Sequence, residues 1–127
     1  MIKRPLNARF TDKAREDIKI TTIREKPWPV GKPIMLYNWT GLAYRSPQID
    51  VCAVEVLFTT PITITHLPSG QIVFDYSTCG DDRLLCLWES EGFADGYELE
   101  AWFRPLVKQG ETVTKHLMRF TKLDKKP

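Results

Sequence analysis

The chain has little of what usually marks a protein's chemistry. It holds three cysteines in 127 residues, Cys52, Cys79 and Cys86. The number is odd and no pair has C-x-x-C spacing, so they read as reduced thiols of a cytoplasmic protein, with a Cys79–Cys86 disulfide as the lesser alternative. The two histidines, His66 and His116, stand apart from each other and from the cysteines. No paired zinc-type spacing results, and no metal site is expected. The seven glycines are scattered, so there is no loop to cradle a phosphate. No G-x-S-x-G elbow occurs. No apolar run approaches the roughly 20 residues of a membrane span, and Met1-Ile2-Lys3-Arg4-Pro5 has no apolar segment behind it that would read as a secretory signal. There is no repeat and no low-complexity stretch.

What remains is an ordinary single-domain composition, 43% hydrophobic and 27% charged. A chain of this length can bury one core without staples. The net charge of +2 is unevenly spread. Residues 1–32 carry nine Lys/Arg against four Asp/Glu, residues 33–106 three against ten, and residues 107–127 six against two. Two basic ends meeting on one face would offer a modest surface to nucleic acid. The plainer reading of the last residues, Lys122 to Pro127, is a solvated tail.

The hydrophobic pattern predicts a helix, several strands, a second helix and a last strand. Thr11 is placed to cap a helix running to about Ile18, with Phe10, Ala14 and Ile18 inward. Residues 19–24 turn extended, and Pro27, Pro29 and Gly31 break the chain. Pro33–Trp39 and Val51–Phe58 read as strands, the latter interrupted by Pro61. Ile62–His66 and Gln71–Tyr76 read as a hairpin about Pro68-Ser69-Gly70. Asp95 with Glu98 forms a capping-box pattern ahead of a stripe of Leu99, Trp102, Phe103 and Leu106. Val113–Leu123 reads as a long final strand. Many short strands with two peripheral helices suggest a small, partly closed β-barrel whose interior is filled by side chains.

Two segments combine chemistry with anchoring. In Lys19-Ile20-Thr21-Thr22-Ile23-Arg24, two cations and two hydroxyls are threaded by β-branched apolar residues. Along an extended segment Thr22 and Arg24 share a face and Ile23 anchors the other, so Thr21 faces away from Thr22. Lys19 and Thr22 converge only where helix gives way to strand between them, and the break near residues 18–20 allows that. The competing reading is an edge strand with solvated Lys and Arg. In Ser90-Glu91-Gly92-Phe93-Ala94-Asp95, a stapled turn ahead of the second helix can hold Glu91, which otherwise is an exposed turn residue. Trp28, Trp39 and Tyr44 lie in or beside turns; for Trp39, stacking on a base and core packing are equal alternatives.

Together these segments resemble the ASCH domain family, which is similar to PUA domains. Lys19 to Arg24 resembles the family's K-x-x-T-I-R segment after the first helix. Val30-Gly31-Lys32-Pro33-Ile34 resembles its following turn and strand, with Lys32 and Pro33 departing from the usual residues. Glu91-Gly92-Phe93, followed by Glu98 and Trp102-Phe103, resembles its "EGF" turn and helix. The likeness spans roughly residues 11–123 of a single domain, 1–127. It implies an α+β fold: a small PUA-like barrel, mostly antiparallel, with two flanking helices. Many such domains are presumed to bind RNA. Small stand-alone members include metal-independent amidohydrolases that remove acyl groups from N4-acylcytidines, and in these a threonine, a lysine and a glutamate carry the reaction. The resemblance puts Thr22, Lys19 and Glu91 in those roles, with Glu89 as a fallback for Glu91, and implies no cofactor. Thr22 would attack the acyl carbonyl. Lys19 would serve as its base if burial and Arg24 lower its pKa, or as an oxyanion donor if Glu91 keeps it charged. Arg24 would orient the nucleoside or hold Glu91, and Trp39 or Trp28 would stack on the pyrimidine. The alternative is a non-catalytic RNA-binding module.

Overall fold

The computed structural model describes residues 1–123. Six strands form one mostly antiparallel sheet: β1 (Ile2–Pro5), β2 (Thr21–Arg24), β3 (Pro33–Trp39), β4 (Gln48–His66), β5 (Ile72–Tyr76) and β6 (Thr112–Lys122). Three short helices accompany it, α1 (Thr11–Arg15), α2 (Leu87–Glu91) and α3 (Gly96–Phe103). The sheet order is β1-β3-β4-β6-β2, with β5 also paired to β4. Only β1 with β3 is a parallel pair among these ladders. The fold is therefore α+β. Among the described residues no helix is long and apolar enough to cross a membrane.

The spine is β4, nineteen residues long. Pro61 does not end it, contrary to the sequence expectation. A proline cannot donate to a ladder, so a strand tolerates it where that donor has no partner to meet. Along β4, the ladder to β3 ends at Glu55 and the ladder to β5 begins at Ile62. Pro61 lies in the gap between them. On its other side β4 stays paired to β6, with one bulge between Val56 and Phe58 that bends the strand. The hairpin to β5 is as expected: Leu67 N–H donates to Gln71 O at 2.8 Å, and Gly70 N–H to Leu67 O at 2.8 Å.

The curl of the sheet brings its two terminal strands near each other without joining them by a ladder. Instead, Arg24 Nη2 on β2 donates to Pro5 O on β1 at 2.8 Å. The core includes Ile34, Leu36, Val54, Val56, Ile62, Ile64 and Leu117, all fully buried.

The helices differ from expectation in number and extent. Thr11 begins α1 but does not cap it; its hydroxyl instead accepts from Asn38 Nδ2 at 2.6 Å, and Asn7 caps the preceding 3-10 turn. The helix ends at Arg15, and Asp17 takes a left-handed φ of 60°. Ile18, beyond that turn, is 40% exposed rather than inward. The segment read as a turn at residues 90–91 is the end of α2, too short for periodicity to reveal. In α3 the cap is as read: Asp95 accepts from Glu98 N–H at 2.8 Å, and Leu99 and Phe103 are buried. Leu106, expected in the same stripe, is exposed because Pro105 turns the chain into a 3-10 segment after Phe103.

Because α3 carries Trp102 and Phe103 to the cavity described below, its cap helps hold that wall, and the cap's contribution is measurable as stability. Asp95→Ala should cost about 1 kcal/mol of stability in urea unfolding, and Asp95→Asn should recover most of it.

Candidate active site

The site is built where the end of α2 meets the start of β2. Ile20 N–H donates to Ser90 O at 2.8 Å, and Ile20 O accepts from Phe120 N–H at 2.9 Å. These bonds lay residues 19–22 between β6 and α2. Gly92 makes the approach close: it follows α2 at φ 93°, and a Cβ there would stand 3.1 Å from both Lys19 Cβ and Phe10 Cδ1. A side chain at this position would face both a strained backbone and two tight neighbours.

Lys19 is 3% exposed and points inward. Its Nζ donates to Thr21 O and to Glu91 O, each at 2.8 Å, and lies 4.7 Å from the centre of the Phe10 ring. The Glu91 carboxylate is 4% exposed, with Oε1 3.9 Å from Lys19 Nζ. Its other oxygen, Oε2, accepts a hydrogen bond from Thr21 Oγ1. Thr21 is fully buried, and its Oγ also lies 3.1 Å from Ser90 Oγ. Thr22, on the opposite face of β2, accepts from Arg24 Nε at 2.9 Å.

Lys19, Thr22, Arg24 and Glu91 line one cavity of about 270 Å³. Its far wall is aromatic: Phe10, Phe93, Trp102 and Phe103. Phe10, Phe93 and Trp102 pack mutually with centroids 5.2–5.8 Å apart, and the Arg9 guanidinium lies 5.1–5.5 Å from all three rings while pairing with Glu98. At the rim, Lys115 is ion-paired with Glu25. The arrangement sets a buried amine, a hydroxyl and a carboxylate against an apolar wall of aromatic rings packed edge to face. That suits a planar ligand with one polar reacting group.

The opposing effects on Lys19 are resolved by burial. Desolvation lowers its pKa from 10.5 to about 8, outweighing Glu91, which raises it; Arg24 adds a smaller lowering. The Arg24 guanidinium is itself pulled down by burial and partly restored by Glu91. Two carbonyl acceptors on Lys19 suit this state. A neutral amine still has two N–H groups for them and keeps one lone pair.

The structure brings Lys19, Thr22, Arg24 and Glu91 together as read from sequence, and corrects the rest. Trp28 is buried beneath the Arg24 guanidinium, which lies 5.0 Å from its ring, and does not line the cavity. Trp39 packs against Tyr37 and Tyr44 and does not line it either. The aromatic lining of the cavity comes instead from Trp102 and its neighbours, whose helical spacing reads as core. Glu89, the fallback for Glu91, is outside the wall. Thr21 and Ser90 are the polar partners that sequence reasoning passed over. The alternation that turns Thr21 away from Thr22 was itself the signal, since Thr21 must then meet something across β2. Among the described residues no three His, Cys, Asp or Glu side chains gather as a metal site. No protein-family model, curated protein or solved structure matches the chain.

A lysine with a folded pKa near 8 and an unfolded value of 10.5 binds fewer protons folded than unfolded between those limits. Stability therefore rises with pH across that window, and the cost of the buried charge is present below it. Compared with Lys19→Met, the unaltered protein should gain on the order of 3 kcal/mol between pH 8 and 10.5 in denaturant unfolding.

Proposed function

We propose that this protein is a metal-independent amidohydrolase that removes acyl groups from N4-acylated cytosine nucleosides, within a PUA-like, ASCH-type fold opened between β1 and β2. The observation that carries the reading is the meeting of Lys19, Thr22 and Glu91, all buried, in one cavity where Lys19 is shifted to about 8. Structural lysines are seldom kept near neutrality in a cavity wall, whereas a general base needs that.

The chemistry runs in two halves. Thr22 Oγ attacks the acyl carbonyl while Lys19 takes its proton. Arg24 donates to Thr22 Oγ1 and so leaves the hydroxyl proton free to be removed. The C–N bond then breaks, and Lys19 returns the proton to the exocyclic nitrogen, releasing the cytosine nucleoside. Water attacks the threonyl ester as Glu91 takes one of its protons; the ester C–O bond then breaks, Glu91 gives that proton to Thr22 Oγ, and the carboxylic acid leaves with Thr22 restored. The base packs against Trp102, the half-buried ring of the aromatic wall. The substrate is a free small molecule of the cytoplasm, and no cofactor takes part.

Incubation with N4-acetylcytidine, followed by the ultraviolet change on release of cytidine, tests this. Turnover should fall about 10³-fold or more in Thr22→Ala and in Lys19→Ala. In the unaltered protein, kcat/KM should climb with pH as Lys19 loses its proton and level off above about 8. Absence of turnover on any N4-acylcytosine, with salt-dependent binding of RNA in its place, would make the protein an RNA-binding module. Full activity in Thr22→Ala would keep the reaction and remove its nucleophile.

A further inference from the structure

β2 is an edge strand, and its ladder uses only one of its two sides. It runs to β6, with Thr22 opposite Met118 and Ile23 opposite Leu117. In an antiparallel pair successive residues alternate. One exchanges both main-chain bonds with its partner, and the next turns its N–H and C=O away. Two bonds fix the parity here. Ile20 O accepts from Phe120 N–H at 2.9 Å, so residues 20, 22 and 24 face β6. Thr21 O is taken by Lys19 Nζ at 2.8 Å instead, so residues 21 and 23 face the open edge.

The main-chain N–H of Ile23 therefore points toward the gap between β2 and β1. No ladder meets it there, because the sheet order ends on these two strands. It makes no hydrogen bond among the described residues. Thr21 shares the parity but does not line the cavity, whereas Ile23 does. The Ile23 side chain packs against the core, which fixes the plane of its peptide.

Attack on an acyl group creates a charge that the side chains do not receive. As the bond from Thr22 Oγ to the acyl carbon forms, the hydroxyl proton passes to Lys19 and the carbonyl π pair moves onto its oxygen. Arg24 is occupied, with Nε on Thr22 Oγ1 and Nη2 on Pro5 O. Two N–H groups of Lys19 are held by carbonyls, and its third proton is the one bound for the leaving nitrogen. A rigid main-chain donor one peptide bond beyond the attacking hydroxyl needs no reorganisation to meet the new charge.

We infer that the main-chain N–H of Ile23 is the oxyanion donor of this site, receiving the acyl oxygen as it gains its charge. When the pair returns to the carbonyl, the C–N bond breaks and the nitrogen takes the proton from Lys19. The catalytic role rests on the function proposed above; the free donor does not.

Cys52 allows a synthetic segment 1–51 to be ligated to residues 52–127, so the Thr22–Ile23 amide of the full chain can be made an ester that keeps every side chain. Against the same chain ligated with the amide, kcat for N4-acetylcytidine should fall about 10²-fold or more while KM changes little. Urea unfolding checks that both chains are folded. In the unaltered protein, amide hydrogen exchange read by nuclear magnetic resonance should be faster at Ile23 than at Thr22 and Arg24, whose N–H groups meet β6. Binding of N4-acetylcytidine to Thr22→Ala should move the Ile23 amide proton downfield. An unchanged kcat in the folded ester chain, or a rise in KM alone, overturns the donor and leaves the amidohydrolase standing. Exchange at Ile23 as slow as at its neighbours also overturns it. Absence of turnover in the unaltered protein sinks the amidohydrolase instead. The donor is then decided by the Ile23 shift with N4-acetylcytidine or acetate: a downfield move with either supports it, and none overturns it. Should the ester chain fail to fold, the exchange rates and that shift decide in the same way.

Discussion

Everything in this site depends on the burial of the Lys19 amine. Its two bonds to Thr21 O and Glu91 O, each 2.8 Å, tie the start of β2 to the end of α2. Neither acceptor carries a full charge, and the one carboxylate nearby is 3.9 Å away. The bonds therefore fix the amine without neutralising the cost of its charge. A carboxylate in direct contact would have favoured the ammonium and restored an ordinary lysine. Partial compensation leaves desolvation in command, and the pKa settles at about 8. Two contacts set the geometry: Gly92 lets α2 approach, and the Ile20–Ser90 bond sets how far.

From that anchor the alternation of β2 distributes the remaining groups. Thr21 and Thr22 are successive, so one meets Glu91 and Ser90 while the other meets the cavity and Arg24. The division is held by register, with Thr21 opposite Arg119 and Thr22 opposite Met118 on β6. A slip of one residue would put Thr22 where Thr21 stands and present Ile23 where Thr22 should stand. Full burial of Leu117 and Met118 on β6 makes such a slip expensive. The hexapeptide is thus less a catalytic motif than a strand whose pleat sorts identical side chains into different tasks.

Legibility in the sequence followed the range of the signal. Patterns within one element were readable: the Asp95 cap, the hairpin at Gly70, the last strand, and the shared face of Thr22 and Arg24. Patterns that depend on a neighbour were not. Pro61 stays inside β4 only because β3 has ended and β5 has not begun beside it. Five residues of α2 carry too little periodicity to be seen, so Glu91 looked like part of a turn. The parallel pairing of β1 with β3 follows no local pattern at all. Among the aromatics, Trp28 and Trp39 were chosen for their place beside turns, whereas the cavity wall was formed by Trp102, whose helical spacing concealed a half-open position. The meeting of residues 19–22 with residue 91 was implied only by resemblance; the bonds that produce it are tertiary.

Arg24 shows why the site and the fold are not separable. One guanidinium serves Thr22 through Nε and the β1 edge through Nη2, while its face lies over Trp28. Its charge contributes to lowering Lys19, and its position is held by a backbone carbonyl of the far edge strand. Lysine could supply the charge but not two directed bonds from one plane together with the stacking. The sheet's open side is thus spanned by the same group that leaves the Thr22 proton free to be taken. A substitution at this position removes the bond to Thr22 and the bond to the β1 edge together. The gap between β1 and β2 is therefore part of the site's construction, because a ladder closing that edge would occupy Pro5 O with a backbone donor and release the guanidinium from its orientation.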